Sequence, residues 1–224
     1  IVFLYDVFMP AKCQRALPGL TAVLMTILTV AGFAAELMGC NPSATSAFAG
    51  MYQTGPAMAA IKIILNVGVI IVLIQSVKWA NSEAMAMRRG EFYFGMYLMI
   101  SARHFLLFII GLESASLPLA AMVALDKKRY ESHEAAVKYI LTAVFSSAVF
   151  MMGLSFVYAL TGSLYFENIY FALSGQLSMM LVLAIAFVIA GIGFKLSLVP
   201  FHLWTADVYQ GAPTSVTSYL SVIS

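Results

Sequence analysis

The sequence predicts an all-α integral membrane protein, a polytopic helical bundle in which one helix is broken near Lys195–Pro200. Composition is the first reason: hydrophobic residues make up 62% of the 224 residues and charged residues only 10%, whereas a soluble domain carries about 25% charged residues. The second reason is a set of apolar runs that each approach the roughly 20 residues needed to cross a bilayer. These runs are Leu17–Met38, Ala57–Val77, Tyr139–Leu160 and Leu177–Phe194.

The whole chain, residues 1–224, is expected to form a single transmembrane domain of about eight helices. Ile1–Met9 resembles the end of a span, and Val216–Ser224 resembles the beginning of one. We therefore expect the first and last helices to be incomplete and the chain to be a fragment of a longer protein.

Cysteine and histidine usage indicates no metal or redox cofactor on this chain. Cys13 and Cys40 lie at opposite ends of one predicted span, too far apart for a disulfide, and no C-x-x-C pair suggests an iron–sulfur cluster. The histidines are too few and too scattered for paired haem ligands; they are His104, His133 and His202. No basic run suggests a nucleic-acid partner, and the net charge is only +2.

Loop charges predict the topology, because Lys and Arg concentrate in cytoplasmic loops. Three polar segments carry them: Lys12/Arg15, Arg88/Arg89 and Lys127–Arg129. We expect these to share the cytoplasmic side. Two segments without positive charge, Gly39–Gly55 and Thr161–Ser174, are expected on the opposite side.

This topology requires two crossings between Arg89 and Asp126. His104–Leu125 is long enough for one of them, but Phe92–Ala102 is too short for the other at about 1.5 Å per residue. Arg103-His104 would form the turn between the two. The short segment is either a re-entrant helix or lacks residues, and we expect missing residues.

A broken helix is predicted within Leu177–Trp204, a run longer than one straight span needs. Gly191 and Gly193 lie in its second half, and Pro200 follows; proline removes a backbone donor and kinks or breaks a helix. Broken helices at membrane depth are tolerated only where they line a cavity or pack within protein. This feature is typical of transporters.

Glu113 and Lys195 are the ionisable residues placed deepest in the predicted helices. A charge at mid-bilayer costs about 2.5–3.5 kcal/mol on insertion scales, so a functional role is expected for Glu113; the alternative is a protonated or hydrogen-bonded packing residue. Burial disfavours the lysine ammonium and a nearby carboxylate favours it, so Lys195 could take up and release a proton. The alternative is a lysine that snorkels to the surface.

Three further residues are candidates with open alternatives. Lys138 follows Glu134 by one helical turn, so an exposed ion pair explains it as well as a functional role does. His202 and Asp207 flank the end of the broken helix and could relay protons, or serve as capping or loop residues.

One stretch carries a specific resemblance. Phe194–Thr214 contains Lys195, then Pro-Phe-His-Leu-Trp-Thr-Ala-Asp, then Val-Tyr-Gln-Gly-Ala-Pro-Thr, and resembles the signature of the antiporter-like membrane subunits of respiratory complex I. Gly111–Glu113 and Glu134–Tyr139 resemble the same family. The form of Asp207–Thr214 resembles that of one NADH–quinone oxidoreductase subunit more than that of its sister subunits or of multisubunit cation/proton antiporters.

The resemblance implies a fragment of a transporter-type fold of about fourteen helices with a discontinuous helix. It implies that Glu113 pairs with a lysine on the next helix, that Lys138 is this lysine, and that Lys195 is the central proton carrier. The family is longer between Tyr93 and Gly95, in agreement with the short segment described above. Its further lysines would lie beyond Ser224.

The resemblance also implies a membrane location and partner subunits for this chain. The chain would be a proton-translocating subunit of a hetero-oligomeric complex in the bacterial inner membrane, in contact with other membrane subunits and lipid. NADH, FMN, iron–sulfur clusters and quinone would bind to other subunits, and no redox chemistry would occur on this chain. The alternatives are a subunit of a multisubunit cation/proton antiporter and a purely structural scaffold.

Overall fold

The computed structural model describes residues 17–38, 46–82, 96–124, 126, 129–173 and 178–222. It is a helical bundle with one small β-hairpin, which confirms the predicted all-α membrane class. The elements in chain order are α1 (Leu17–Leu37), β1 (Ser46–Ala47), β2 (Tyr52–Gln53), α2 (Pro56–Ser82), α3 (Phe105–Val123), α4 (Tyr130–Thr161), α5 (Phe166–Leu173), α6 (Met179–Lys195), α7 (Leu203–Gly211) and α8 (Thr214–Val222). Residues 96–100 are also helical.

Helices α3 and α4 are long and apolar enough to cross a membrane, and α1, α2 and α6 contain shorter apolar stretches. Only 44% of the most apolar window of α3 and 28% of that of α4 is buried within the protein. Large apolar side chains such as Ile64, Phe145 and Ile189 are exposed on α2, α4 and α6. Many exposed large apolar side chains on membrane-length helices are expected where helices contact lipid or another protein.

Helix α4 begins at Tyr130, well before the predicted start at Tyr139. The additional turns are polar, so a search for apolar runs does not detect them. Within these turns, Lys138 Nζ lies 2.8 Å from Glu134 Oε1, an i,i+4 ion pair that supports the helix.

The predicted break is confirmed. Helix α6 ends at Lys195, and α7 begins at Leu203. Between them the backbone turns back on α6: the Leu198 N–H donates to the Gly193 carbonyl at 2.9 Å. The indole Nε1 of Trp204 in α7 donates to the Phe194 carbonyl at 3.0 Å, which satisfies one of the carbonyls left free at the end of α6.

Helices α4 and α6 pack at very short range through two glycines. A Cβ on Gly191 would lie 2.6 Å from Phe150 Cβ, and one on Gly153 would lie 2.8 Å from Val188 N. Small residues that let helix backbones approach are typical of membrane helix pairs. Ser146 Oγ adds an interhelical hydrogen bond, donating to the Gly191 carbonyl at 2.7 Å.

One end of the bundle, here called the hairpin end, is formed by residues 46–53, 101–104 and 161–165. The Gln53 N–H donates to the Ser101 carbonyl at 2.9 Å, and the Phe105 N–H donates to the Leu164 carbonyl at 3.0 Å. Isolated β-bridges join Tyr52 to Ala102 and His104 to Tyr165. The prediction that the described parts of these three loops lie on one side is confirmed, as is the turn at Arg103-His104.

The opposite end, here called the basic end, brings the α3–α4 connection against α7. Arg129 precedes α4, and a Cβ on Gly211 of α7 would lie 2.5 Å from the Glu131 carbonyl oxygen. That the basic end faces the cytoplasm stays a prediction.

Several predicted features lie outside the described residues. They are Ile1–Met9, Lys12, Cys13, Arg15, Cys40, Arg88, Arg89, Lys127, Lys128 and the proposed gap between Tyr93 and Gly95.

The two ends can be tested by cysteine labelling in intact cells. In a background with Cys13 and Cys40 replaced by serine, we expect Phe48→Cys at the hairpin end to react with a membrane-impermeant maleimide added outside. Glu131→Cys at the basic end should react only after the membrane is permeabilised. Both side chains are exposed in the structure, so only the membrane can keep the maleimide from reaching the thiol. Labelling of both from one side would contradict the arrangement.

Candidate functional site

Lys195 is turned into the bundle. It is the last residue of α6, and its Nζ donates a hydrogen bond to Ser116 Oγ of α3 at 2.6 Å. Ser116 is buried, and its own hydroxyl donates to the Leu112 carbonyl at 2.6 Å. Because the ammonium points toward α3, the alternative of a lysine that snorkels to the surface is wrong for this structure.

Glu113 lies one helical turn before Ser116 on the same face of α3, because residues three apart on a helix are neighbours. Its carboxylate accepts a hydrogen bond from Ser147 Oγ of α4. The carboxylate is also close enough to Lys195 for the two charges to interact electrostatically. The structure therefore brings Glu113 and Lys195 to the same region, on two helices that both pack against α4.

A cavity of about 200 Å³ lies between α3, α4 and the end of α6. Its wall combines apolar side chains with a group of polar ones. The polar lining residues are Ser116, Tyr139, Thr142, Ser146, Ser147 and Lys195. A single water needs about 10–15 Å³ of such space and two to four polar partners, so this cavity has the size and the lining to hold several waters.

Lys138 occupies a different place. Its Nζ lies 2.6 Å from Asp207 Oδ2 and 2.8 Å from Glu134 Oε1, at the basic end. The predicted pairing of Lys138 with Glu113 is wrong for this structure. Lys138 precedes Ser147, the α4 partner of Glu113, by nine residues, which corresponds to roughly 13 Å along a helix axis.

The cluster of Glu134, Lys138 and Asp207 joins α4 to the second half of the broken helix. The i,i+4 alternative for Lys138 is confirmed, with Asp207 as an additional partner. His202 takes the N-cap position of α7 but makes no side-chain capping hydrogen bond, and its side chain is exposed. The structure therefore does not support capping as the role of His202.

Sequence reasoning missed the hydroxyl groups that surround the two central charges. Ser116 binds Lys195, Ser147 binds Glu113, and Ser146 joins α4 to α6. The sequence did contain an indication of these contacts, because serines in otherwise apolar membrane helices often hydrogen-bond across helices. The signal is weak, because a serine can equally bond to its own helix backbone.

Metal binding has no support in the part of the chain that the structure describes. No group of three or more His, Cys, Asp or Glu side chains there is arranged to hold a metal ion.

Residues 102–224 match a family described as "NADH:quinone oxidoreductase/Mrp antiporter, TM". A protein named NADH-quinone oxidoreductase subunit N from Phocaeicola vulgatus is 46% identical over 100% of this chain and 47% of its own length. The protein of the same name from Azobacteroides pseudotrichonymphae is also 46% identical, with the same coverage. The chain thus spans about half the length of the curated relatives it matches.

Solved structures agree with this result. A chain of respiratory complex I from Thermus thermophilus with bound aureothin is 27% identical and superposes with a TM-score of 0.74, covering 99% of this chain and 47% of that one. A chain of the archaeal membrane-bound sulfane sulfur reductase is 16% identical with the same TM-score and shares the fold. With a family match over more than half of its residues, this chain belongs to the NADH:quinone oxidoreductase/Mrp antiporter family of membrane proteins.

Proposed function

We propose that this chain is part of a proton-translocating membrane subunit of an NADH–quinone oxidoreductase. The observation that carries the proposal is that Lys195, at the break in its helix, and Ser147, the hydrogen-bond partner of Glu113, line the same cavity. Buried ionisable groups in membrane helices mark ion pathways and proton relays. The names of the relatives at 46% identity support this assignment over a cation/proton antiporter subunit.

Within this proposal, protons move between Glu113 and Lys195 through the cavity. The ammonium of Lys195 gives a proton to a cavity water and is reprotonated from the Glu113 side, so the lysine alternates between charged and neutral forms. Ser116 and Ser147 orient the two groups and exchange hydrogen bonds with water.

The Glu134–Lys138–Asp207 cluster supplies protons from the basic end in this scheme. Its side chains are partly exposed and can equilibrate with water, and Tyr139, next to Lys138, lines the cavity. His202 is a weaker candidate for the same relay.

Energy for this movement would come from quinone reduction on other subunits. We propose that NADH, FMN, iron–sulfur clusters and quinone bind there and that this chain carries no redox chemistry. The setting is a hetero-oligomeric complex in a bacterial inner membrane, in contact with other membrane subunits and lipid.

Glu113→Gln tests the proposal in the full-length subunit within its complex. We expect the rate of proton pumping to fall by about two orders of magnitude, the lower end of what a positioned proton-transfer group contributes. Glutamine keeps the side-chain shape and can still bond to Ser147. Proton uptake and NADH oxidation would be measured together in inverted membrane vesicles.

Glu167→Gln is the matched control. Glu167 forms an exposed ion pair with Arg103 at the hairpin end, 3.2 Å between Nη2 and Oε1, and its loss should leave pumping unchanged. Normal pumping by Glu113→Gln would favour a structural scaffold. Sodium-driven proton exchange without NADH or quinone would favour the antiporter alternative.

A further inference from the structure

Lys62 is a second lysine whose side chain is turned into the protein. The sequence predicts an interfacial position for Lys62, near the end of a span. In the structure Lys62 lies in the second turn of α2 at the hairpin end, and its side chain is half-buried. Its Nζ donates to Ser101 Oγ at 2.5 Å and to the Tyr52 hydroxyl at 3.2 Å. Ser101 is fully buried.

Two aromatic rings complete the surroundings of this ammonium. Lys62 Nζ lies 5.3 Å from the centroid of the Tyr52 ring and 5.7 Å from that of Tyr97, within the roughly 6 Å at which a cation is attracted to a ring face. The Tyr97 hydroxyl donates to Asn66 Oδ1, and Asn66 is buried one turn after Lys62 on α2. Lys62 thus sits among hydroxyls, ring faces and an amide.

Among the side chains that the structure describes, which do not include that of Glu36, none forms an ion pair with Lys62. Arg103 and Glu167, the charged pair of the hairpin end, bind each other. The titratable groups that face Lys62 are the phenols of Tyr52 and Tyr97.

Two helices, α1 and α8, pack against α2, and their sequences contain few ionisable residues. Helix α8 has no charged residue, and the only ionisable residue in the α1 sequence is Glu36.

The cluster shares a short helical segment with the wall of the cavity. Tyr97 stands in the short helical segment 96–100, in which Met96 and Met99 line the cavity beside Lys195. On the other side, Tyr52 belongs to the hairpin. Burial raises the pKa of the Tyr52 phenol, but its hydrogen bonds with Ser101 and Lys62 and the charge of Lys62 outweigh burial and hold the pKa below its usual value.

We propose that Lys62 is a proton-release group of this chain, passing protons from the cavity to water at the hairpin end by way of Ser101 and Tyr52. In each cycle the Lys62 ammonium gives one proton to the hydroxyl and water chain, and the neutral amine takes one proton from the cavity. No electron is transferred. The inference rests on the proposed function and adds an outward end to the proton route.

The test compares Lys62→Met and Lys62→Arg in the full-length subunit within its complex. Methionine keeps an unbranched stem without the charge. Arginine keeps the charge and the donors but is not deprotonated in proteins. We expect both variants to lower the rate of proton pumping by about two orders of magnitude. Tyr52→Phe, which leaves Lys62 in place and alters only the hairpin, should also lower pumping.

Lys195→Ala separates the failure of this inference from that of the proposed function. If Lys195→Ala stops pumping while all three cluster variants pump normally, Lys62 is not on the route. If Lys62→Arg pumps normally and only Lys62→Met is impaired, with a lower melting temperature, Lys62 is a structural cross-link and the inference is overturned. If Lys195→Ala itself pumps normally, the proposed function is wrong, and the inference that depends on it is wrong as well. Glu167→Gln again serves as the control at the hairpin end.

Discussion

Lys195→Ala is expected to reduce NADH-driven proton translocation by about an order of magnitude or more, while the subunit still inserts and assembles. The substitution removes the only ammonium that lines the described cavity. Ser116 keeps its hydrogen bond to the Leu112 carbonyl, so no buried donor is left unpaired. The packing of α6 on α4 relies on Gly153 and Gly191 and is untouched. Proton uptake per NADH oxidised, together with complex yield, is the measurement.

Lys195→Arg distinguishes proton transfer from charge alone. Arginine retains the positive charge beside Glu113 but holds its proton throughout the pH range of the assay. We expect it to be as impaired as the alanine variant. Recovery of pumping in Lys195→Arg would show that a fixed charge suffices, and would contradict the assignment of Lys195 as a proton carrier.

Gly191→Ala is expected to have the largest effect on stability. The new Cβ would lie 2.6 Å from Phe150 Cβ and 2.8 Å from Phe150 Cα and N. Since backbone atoms cannot rotate away, α4 and α6 must separate. Overpacking of this kind costs about 1–3 kcal/mol. We expect a lower melting temperature of the purified complex and a lower yield. Pumping should also fall, because Gly191 and Phe150 both line the cavity.

Gly32→Ala provides the matched control, because Gly32 is also a helical glycine. A Cβ there meets only Ile63 Cγ1 at 4.0 Å, an ordinary contact, and alanine favours a helix over glycine by up to about 1 kcal/mol. The melting temperature of Gly32→Ala should stay the same or rise. A similar loss in both variants would mean that the close approach at Gly191 is not what limits stability.

The sequence predicted the parts of the fold that depend on local chemistry. Long apolar runs identified the helices, and Pro200 after a glycine-containing run identified the break. The placement of residues 46–53 and 161–165 at the hairpin end followed from their lack of positive charge, and that of Arg103-His104 followed from the number of crossings required between Arg89 and Asp126. The hairpin itself was not predicted, because its two-residue strands are too short to show the alternation that marks a strand.

Side-chain partners were harder to predict than helices. Glu113, Lys138 and Lys195 were identified because a charge in an apolar helix is costly. Their partners depend on how helices are rotated and shifted, which one sequence does not reveal. Lys138 therefore proved to bind Asp207, which is distant in the chain, and Lys62 proved to be enclosed by Tyr52 and Ser101. Whether Glu113, Lys138, Lys195, His202 and Asp207 carry protons stays a prediction.

The ion pair between Lys138 and Asp207 has a mechanical consequence for the broken helix. The ion pair links α7 to the beginning of α4. Gly191 lets α6 pack closely against the middle of the same helix, at Phe150. Both halves of the broken helix therefore pack against α4. If one half rotates relative to the other, the backbone of residues 196–202 must change conformation. Loss of the charge on Asp207 would therefore alter the connection that follows Lys195.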